Sequence, residues 1–167
     1  MESTGPSLIN LTLDARPQDK VYDATTDVVI YKPNEDIIGA VLQGAVLTGV
    51  SLADDFQGQF TTKNVGANIP VSVTVSLTGP NAAAYSLTLP TLTANITKKD
   101  LSVLNGVAQS KVYDATVNAV VTGAELQQVA IGLGTDFDGK YYTGDVVLLV
   151  GGGGTFADKN VGTGKSV

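Results

Sequence analysis

Lys20-Val21-Tyr22-Asp23-Ala24-Thr25 recurs unchanged as Lys111-Val112-Tyr113-Asp114-Ala115-Thr116, 91 residues further along the chain. A second motif, Lys63-Asn64-Val65-Gly66, recurs as Lys159-Asn160-Val161-Gly162 at an offset of 96 residues. A Gly-x-Phe triplet lies just upstream of each copy, Gly58-Gln59-Phe60 and Gly154-Thr155-Phe156. Two motifs in the same order at nearly the same offset mark a duplicated unit of roughly 90 residues, and internal repetition decides the architecture before any strand is assigned. The 167 residues therefore divide into one module over 7–97 and a second over 98–167. The extra residues of the second module fall in an insert from Thr135 to Asp145.

Composition narrows the function classes. With 43% hydrophobic and 16% charged residues the chain lacks the signature of disorder. Cys, His and Trp are all absent, which removes thiol chemistry, imidazole acid–base work, disulfides and the usual transition-metal ligands. An enzyme is the least expected class. Net charge is −6 and Arg16 is the single arginine, so there is no basic stripe for phosphates and nucleic acid is not an expected partner. Nor is membrane insertion, since no stretch approaches the roughly 20 apolar residues that span a bilayer. The first residues carry neither the basic nor the apolar region of a secretion signal, so an export signal is expected outside this segment. A cysteine-free chain also suits export as an unfolded polypeptide.

The local pattern is that of an all-β protein. Valine and threonine dominate, and Val71, Val73, Val75 and Leu77 alternate with Ser72, Thr74, Ser76 and Thr78, the period of a half-buried strand. Further runs at Leu11 to Leu13, Val28 to Tyr31, Leu101 to Leu104, Ala119 to Thr122 and Val146 to Val150 are separated by turn residues, which points to a sandwich or barrel. Asn81-Ala82-Ala83-Ala84-Tyr85, followed by alternating residues, resembles the corner at which an Ig-like chain crosses between sheets. Tandem Ig-like β-sandwich modules are therefore expected. The alternative is β-grasp-like modules, in which Ile37 to Leu47 is a helix rather than strand.

The order Lys-x-Tyr-Asp-(Gly/Ala)-Thr, then Phe156-Ala157-Asp158-Lys159-Asn160-Val161-Gly162-Thr163-Gly164-Lys165, then Leu-x-Gly-x-x-Ala-x-x-Tyr and a closing x-Ile-Thr-Lys, resembles the YDG-type repeat. That repeat occurs in very large bacterial adhesins related to filamentous haemagglutinin. The resemblance implies a secreted, cell-surface location, a stalk built of tandem modules, a part in adhesion or biofilm formation, and no known catalytic residue. Ala24 and Ala115 stand where the family usually has Gly, which argues against a positive φ at either position.

Each motif also has a chemical reading. In the hexapeptides, the Asp23 carboxylate can close an Asx turn onto Thr25, with Tyr22 packed at the module end and Lys20 beside it; Lys111, Tyr113 and Asp114 repeat the set. A sharper alternative is an intramolecular isopeptide bond from Lys20 or Lys111 to Asn64 or Asn160, which needs a buried neutral amine and a protonated carboxyl neighbour. Lys63-Asn64-Val65-Gly66 and Lys159-Asn160-Val161-Gly162 read as turns in which Asn adopts left-handed geometry and Gly relaxes the exit. Gly151 to Gly154 is not a phosphate loop, because no Gly-Lys-Ser/Thr leads into a helix at the needed spacing. No cofactor is expected, with calcium at Asp136 and Asp138, or at Asp54-Asp55, as the weak exception; no Glu closes a 12-residue loop there. Tyr141 and Tyr142 could stack on a sugar ring.

Two functions compete on this basis. One is a rigid spacer whose partners are neighbouring repeats, joined by a short, stiff junction at Thr97 to Asp100. The other is a glycan- or matrix-binding module that uses residues 135–145. The second module has no counterparts of Val71 to Leu77, Ser86 to Leu89 and Leu92 to Ile96 in this sequence, so it is expected to expose sheet edges and to self-associate through them.

Overall fold

The computed structural model describes residues 7–33, 39–44 and 48–167. Its contacts separate two units, one ending at Lys98 and the other spanning Lys99–Val167. Both are built from strands, and the three-residue 3-10 turn Ala82–Ala84 is the one helical element among the described residues.

The first unit is organised by its longest strand, Gly66–Thr74, in which Ile69, Val71 and Val73 are buried and the intervening residues exposed. β-branched side chains suit such a half-buried pleated surface. Gln57–Phe60 and Leu92–Thr97 flank it in antiparallel register, and Leu92–Thr97 pairs in parallel with Lys20–Val21 to complete four strands. A second sheet places Ile9–Asp14 between Tyr85–Thr88, which runs parallel to it, and antiparallel Val41–Gln43. Leu13 of this sheet and Phe60, Val71, Ala94 and Ile96 of the other belong to one hydrophobic cluster, with Leu42 and Leu87 packed against it. The approach is close at Gly58, where a Cβ would lie 2.2 Å from Ile30 Cδ1.

In the second unit, Val107–Ala108, Asn118–Thr122 and Gly153–Thr155 form a three-stranded sheet. Val103–Leu104 pairs with Glu125–Leu126, and Gln128–Val129 with Tyr141–Tyr142. Ala119 and Tyr142 are its buried hydrophobic side chains among the described residues.

The all-β reading holds, with corrections at individual segments. The Val71 to Leu77 run breaks after Thr74, and Leu77–Thr78 pairs separately with Ser51–Leu52. Val28 to Tyr31 contributes Ile30–Tyr31, and Leu101 to Leu104 contributes Val103–Leu104. Within Ile37 to Leu47 the described part is a strand, Val41–Gln43, where the β-grasp alternative needs a helix; residues 37–38 and 45–47 lie outside the described residues. Val146 to Val150 is not a strand. High β propensity cannot form one without a neighbour to satisfy the backbone groups, and no described segment pairs with it.

Candidate functional site

The duplicated hexapeptide builds the same polar cluster in both units. In the first, Lys20 Nζ donates to Asp23 Oδ1 at 2.7 Å, Thr25 Oγ1 at 3.1 Å, Thr25 O at 3.0 Å and Asp27 O at 2.8 Å. Asp23 Oδ1 also accepts the Thr25 amide at 2.9 Å, which closes the Asx turn read from the sequence. In the second, Lys111 Nζ reaches Asp114 Oδ1 at 2.8 Å, Thr116 Oγ1 at 2.8 Å and Thr116 O at 3.0 Å, and the Thr116 amide donates to Asp114 Oδ1 at 2.9 Å. The lysines stand 5.5 Å and 5.8 Å from the ring centroids of Phe60 and Phe156, within cation–π range. This contact links the two repeated segments, since the Gly-x-Phe triplet supplies the ring that lies against the hexapeptide lysine. Sequence reading used the phenylalanines only to align the copies; their fixed spacing ahead of Lys63 and Lys159 was the available signal.

Asp114 is lowered to about 2 by its hydrogen bonds to Lys111 and Thr116. At Asp23 burial works the other way, but the bonds from Lys20 and Thr25 outweigh it and the carboxyl still lies below its usual range. Each lysine amine is therefore occupied by oxygens of its own turn. Asn64 and Asn160 are both exposed, outside the buried apolar setting that an isopeptide bond needs.

The turn overrides the expectation drawn from Ala24 and Ala115. Both are left-handed, with φ of 64° and 63°. The bonds among Lys, Asp and Thr on either side close only if the chain reverses at this residue, and together they offset the steric cost of a Cβ there.

The second repeated motif needs a different correction. Asn64, Gly66, Asn160 and Gly162 are not left-handed; Asn68 at φ 52° and Gly164 at φ 62° are. The turn is held at its start, where the Asn64 amide donates to Thr62 Oγ1 at 3.2 Å and the Asn160 amide to Asp158 Oδ1 at 2.7 Å. The copies differ in a matched way. Where the first unit has Thr62 and buried Ile69, the second has Asp158 and Lys165, which form an ion pair. Asp158 is held low by Lys165 and by the Asn160 amide. Lys63 and Lys159 are exposed.

The insert is organised around a lysine that sequence reading did not single out. Lys99 has a side chain only 3% exposed and pairs with Asp138 Oδ1 at 2.9 Å, its Nζ 4.3 Å from the Tyr142 ring centroid. The two Asp138 oxygens also accept the Thr135 and Lys140 amides at 2.9 Å each. Lys99 first and the two amides next take Asp138 to about 2. Burial alone would lower Lys99, but its bonds to Asp138 and Tyr142 leave it raised. Asp138 is thus engaged within the protein, while Asp136 is exposed. No group of three acidic residues that could hold a metal occurs among the described residues. Asp55 accepts the Ser76 amide at 3.1 Å and the Ser76 hydroxyl at 2.7 Å. The tyrosine pair is split: Tyr142 is buried beneath Lys99, where it cannot meet a sugar, and Tyr141 is half-buried.

A cavity of about 400 Å³ opens beside the second hexapeptide, lined among others by Lys111, Tyr113, Phe156, Val161 and Lys165.

The model of the YDG domain matches residues 7–94 and again residues 97–167. No curated protein and no solved structure matches the chain. The two matches cover nearly the whole sequence and each contains one copy of the Lys-Asp-Thr turn, so the chain belongs to the YDG domain family.

Proposed function

We propose that this chain is a non-enzymatic spacer segment of a secreted bacterial surface adhesin of the filamentous-haemagglutinin-like kind, serving cell adhesion or biofilm formation. The observation that carries this reading is the duplicated cluster itself. Its charged side chains, Lys20 and Asp23 or Lys111 and Asp114, bond within their own turn. A site that acts on a ligand leaves donors or acceptors free for it, whereas a repeated structural element uses them internally. Absence of cysteine and a net charge of −6 suit export and solubility.

Spin labels placed on Gly66–Thr74 and Asn118–Thr122 test the spacer. A narrow distance distribution is expected, and a broad one, characteristic of a flexible joint, overturns the reading. Specific binding of the chain to immobilised glycans, lost in Tyr141→Ala, would instead assign residues 135–145 to ligand recognition.

A further inference from the structure

Asn105–Gly106 is the one Asn-Gly pair in the sequence, and it interrupts a strand ladder of the second unit. Val103 and Leu104 face Leu126 and Glu125, and Val107 and Ala108 face Thr122 and Val121 in the same antiparallel register. Between the two paired stretches the chain breaks from strand geometry on both sides, with Asn105 left-handed at φ 58° and Gly123 at φ 72°. Asn105 and Gly106 are both exposed, and Asn105 Nδ2 donates to Glu125 Oε1.

The exposure of this asparagine belongs to its position in the module. By the 91-residue offset of the hexapeptides, Asn105 corresponds to Asp14 of the first unit. There Tyr85–Thr88 runs beside Ile9 to Thr12 and stops short of Asp14, while Asp14 itself pairs with Val41. Asp14 is exposed even with both neighbouring strands in place.

We propose that Asn105 is a site of spontaneous deamidation, with water as the co-reactant and Glu125 as the residue that restrains it. The Gly106 amide nitrogen attacks Asn105 Cγ, the Cγ–Nδ2 bond breaks, and ammonia leaves with the proton of that nitrogen, giving a succinimide ring. Water then opens the ring at either carbonyl, leaving aspartate or an isoaspartate whose main chain runs through Cβ and Cγ. Glycine at the next position favours the attack because it has no Cβ to crowd the nitrogen. The other asparagines precede Leu, Glu, Val, Ile or Ala. Glu125 opposes the first step, since Cγ cannot turn toward the Gly106 nitrogen without giving up the bond from Nδ2. The same bond makes the product costly, because a carboxylate replaces the amide next to Glu125 and like charges across a strand pair repel. Asp138–Gly139, the one Asp-Gly pair, is spared because Lys99 and the Thr135 and Lys140 amides hold its carboxylate. The conversion runs one way and accumulates with the age of the chain. It does not depend on the spacer reading.

The test uses the full chain, aged in mildly alkaline buffer and mapped by peptide mass. The tryptic peptide 100–111 should gain the mass of an amide becoming an acid and split into aspartate and isoaspartate forms, ahead of every other asparagine peptide. Gly106→Ala should suppress the gain; the nearest atom to its new methyl is Val121 Cγ1 at 3.2 Å. Glu125→Ala should speed the conversion by at least about threefold, while Glu125→Gln, which still offers an acceptor, should not. Urea checks the same restraint without a variant, because unfolding frees Asn105 from Glu125 and should also speed the conversion. In aged protein, amide exchange should quicken over Val103–Leu104 and Glu125–Leu126 and stay unchanged over Gly66–Thr74. No mass gain in peptide 100–111, a faster gain at another asparagine of the native chain, an undiminished gain in Gly106→Ala, or a rate indifferent to both Glu125→Ala and urea overturns the proposal.

Discussion

Replacing the two left-handed alanines by glycine separates local strain from burial. Left-handed geometry costs an L-residue about 1–2 kcal/mol, and glycine gives back about 0.5–1 kcal/mol through the greater freedom of the unfolded chain. The backbone contribution therefore favours glycine by about 0.5–1 kcal/mol at both positions. The methyl groups differ. Ala24 is 8% exposed, so Ala24→Gly also forfeits a buried methyl worth about 0.8 kcal/mol and should leave stability near its starting value. Ala115 is exposed and has no such loss, so Ala115→Gly should stabilise the second unit by about 0.5–1 kcal/mol. Native-state hydrogen exchange reads the units separately, through amides of Gly66–Thr74 in one and Asn118–Thr122 in the other. A destabilising Ala115→Gly, or a larger gain from Ala24→Gly, would refute the assignment of these alanines as strained positions.

Gly58→Ala should destabilise the first unit by about 1–3 kcal/mol in thermal or urea unfolding, because the new methyl meets Ile30 Cδ1 at 2.2 Å and Val28 Cγ1 at 3.0 Å. Asp114 and Asp138 sit near 2 against an ordinary 3.8, so the native second unit binds fewer protons than the unfolded chain between those values. Its stability should be fully present above about pH 4 and fall as the pH drops toward 2, and Asp114→Asn with Asp138→Asn should flatten that slope in acid-unfolding curves. A double-mutant cycle of Lys20→Met and Phe60→Leu should give a coupling of about 1 kcal/mol. The matching cycle at Lys111 and Phe156 should give less, because Lys111 is 27% exposed against 16% for Lys20.

The repeat and its all-β character are legible in the sequence, because identity between copies and period-two alternation are local signals. The Asx turn is legible too, since Asp and Thr two residues apart carry that geometry with them. The errors arose where a distant partner decides. Val146 to Val150 has the composition of a strand but no described neighbour to pair with. Lys99 acquires its role from Asp138 and Tyr142, about 40 residues away, a juxtaposition no spacing rule encodes. At Ala24 and Ala115 intrinsic preference opposes the left-handed geometry, and the bonds that close around them, invisible to a residue-by-residue propensity, override it. A difference of about 1 kcal/mol in propensity yields to several hydrogen bonds.

Duplication supplies an internal control that bears on how the module is assembled. One hexapeptide is covered by Leu92–Thr97 and the other pairs with no strand among the described residues, yet both hold the same lysine–aspartate–threonine bonds to within 0.3 Å. The turn is therefore not imposed by the neighbouring strand. Its contacts span three to five residues, so closing it costs little chain entropy, whereas Ile96 must be brought back across 76 residues to meet Lys20. Loop-closure entropy predicts that the local cluster forms ahead of the pairing with Leu92–Thr97, and that pairing brings Ile96 into the cluster that buries Phe60. The duplicated motif thus satisfies its own polar groups within the turn, which in the first unit lets them stand at the margin of a hydrophobic core.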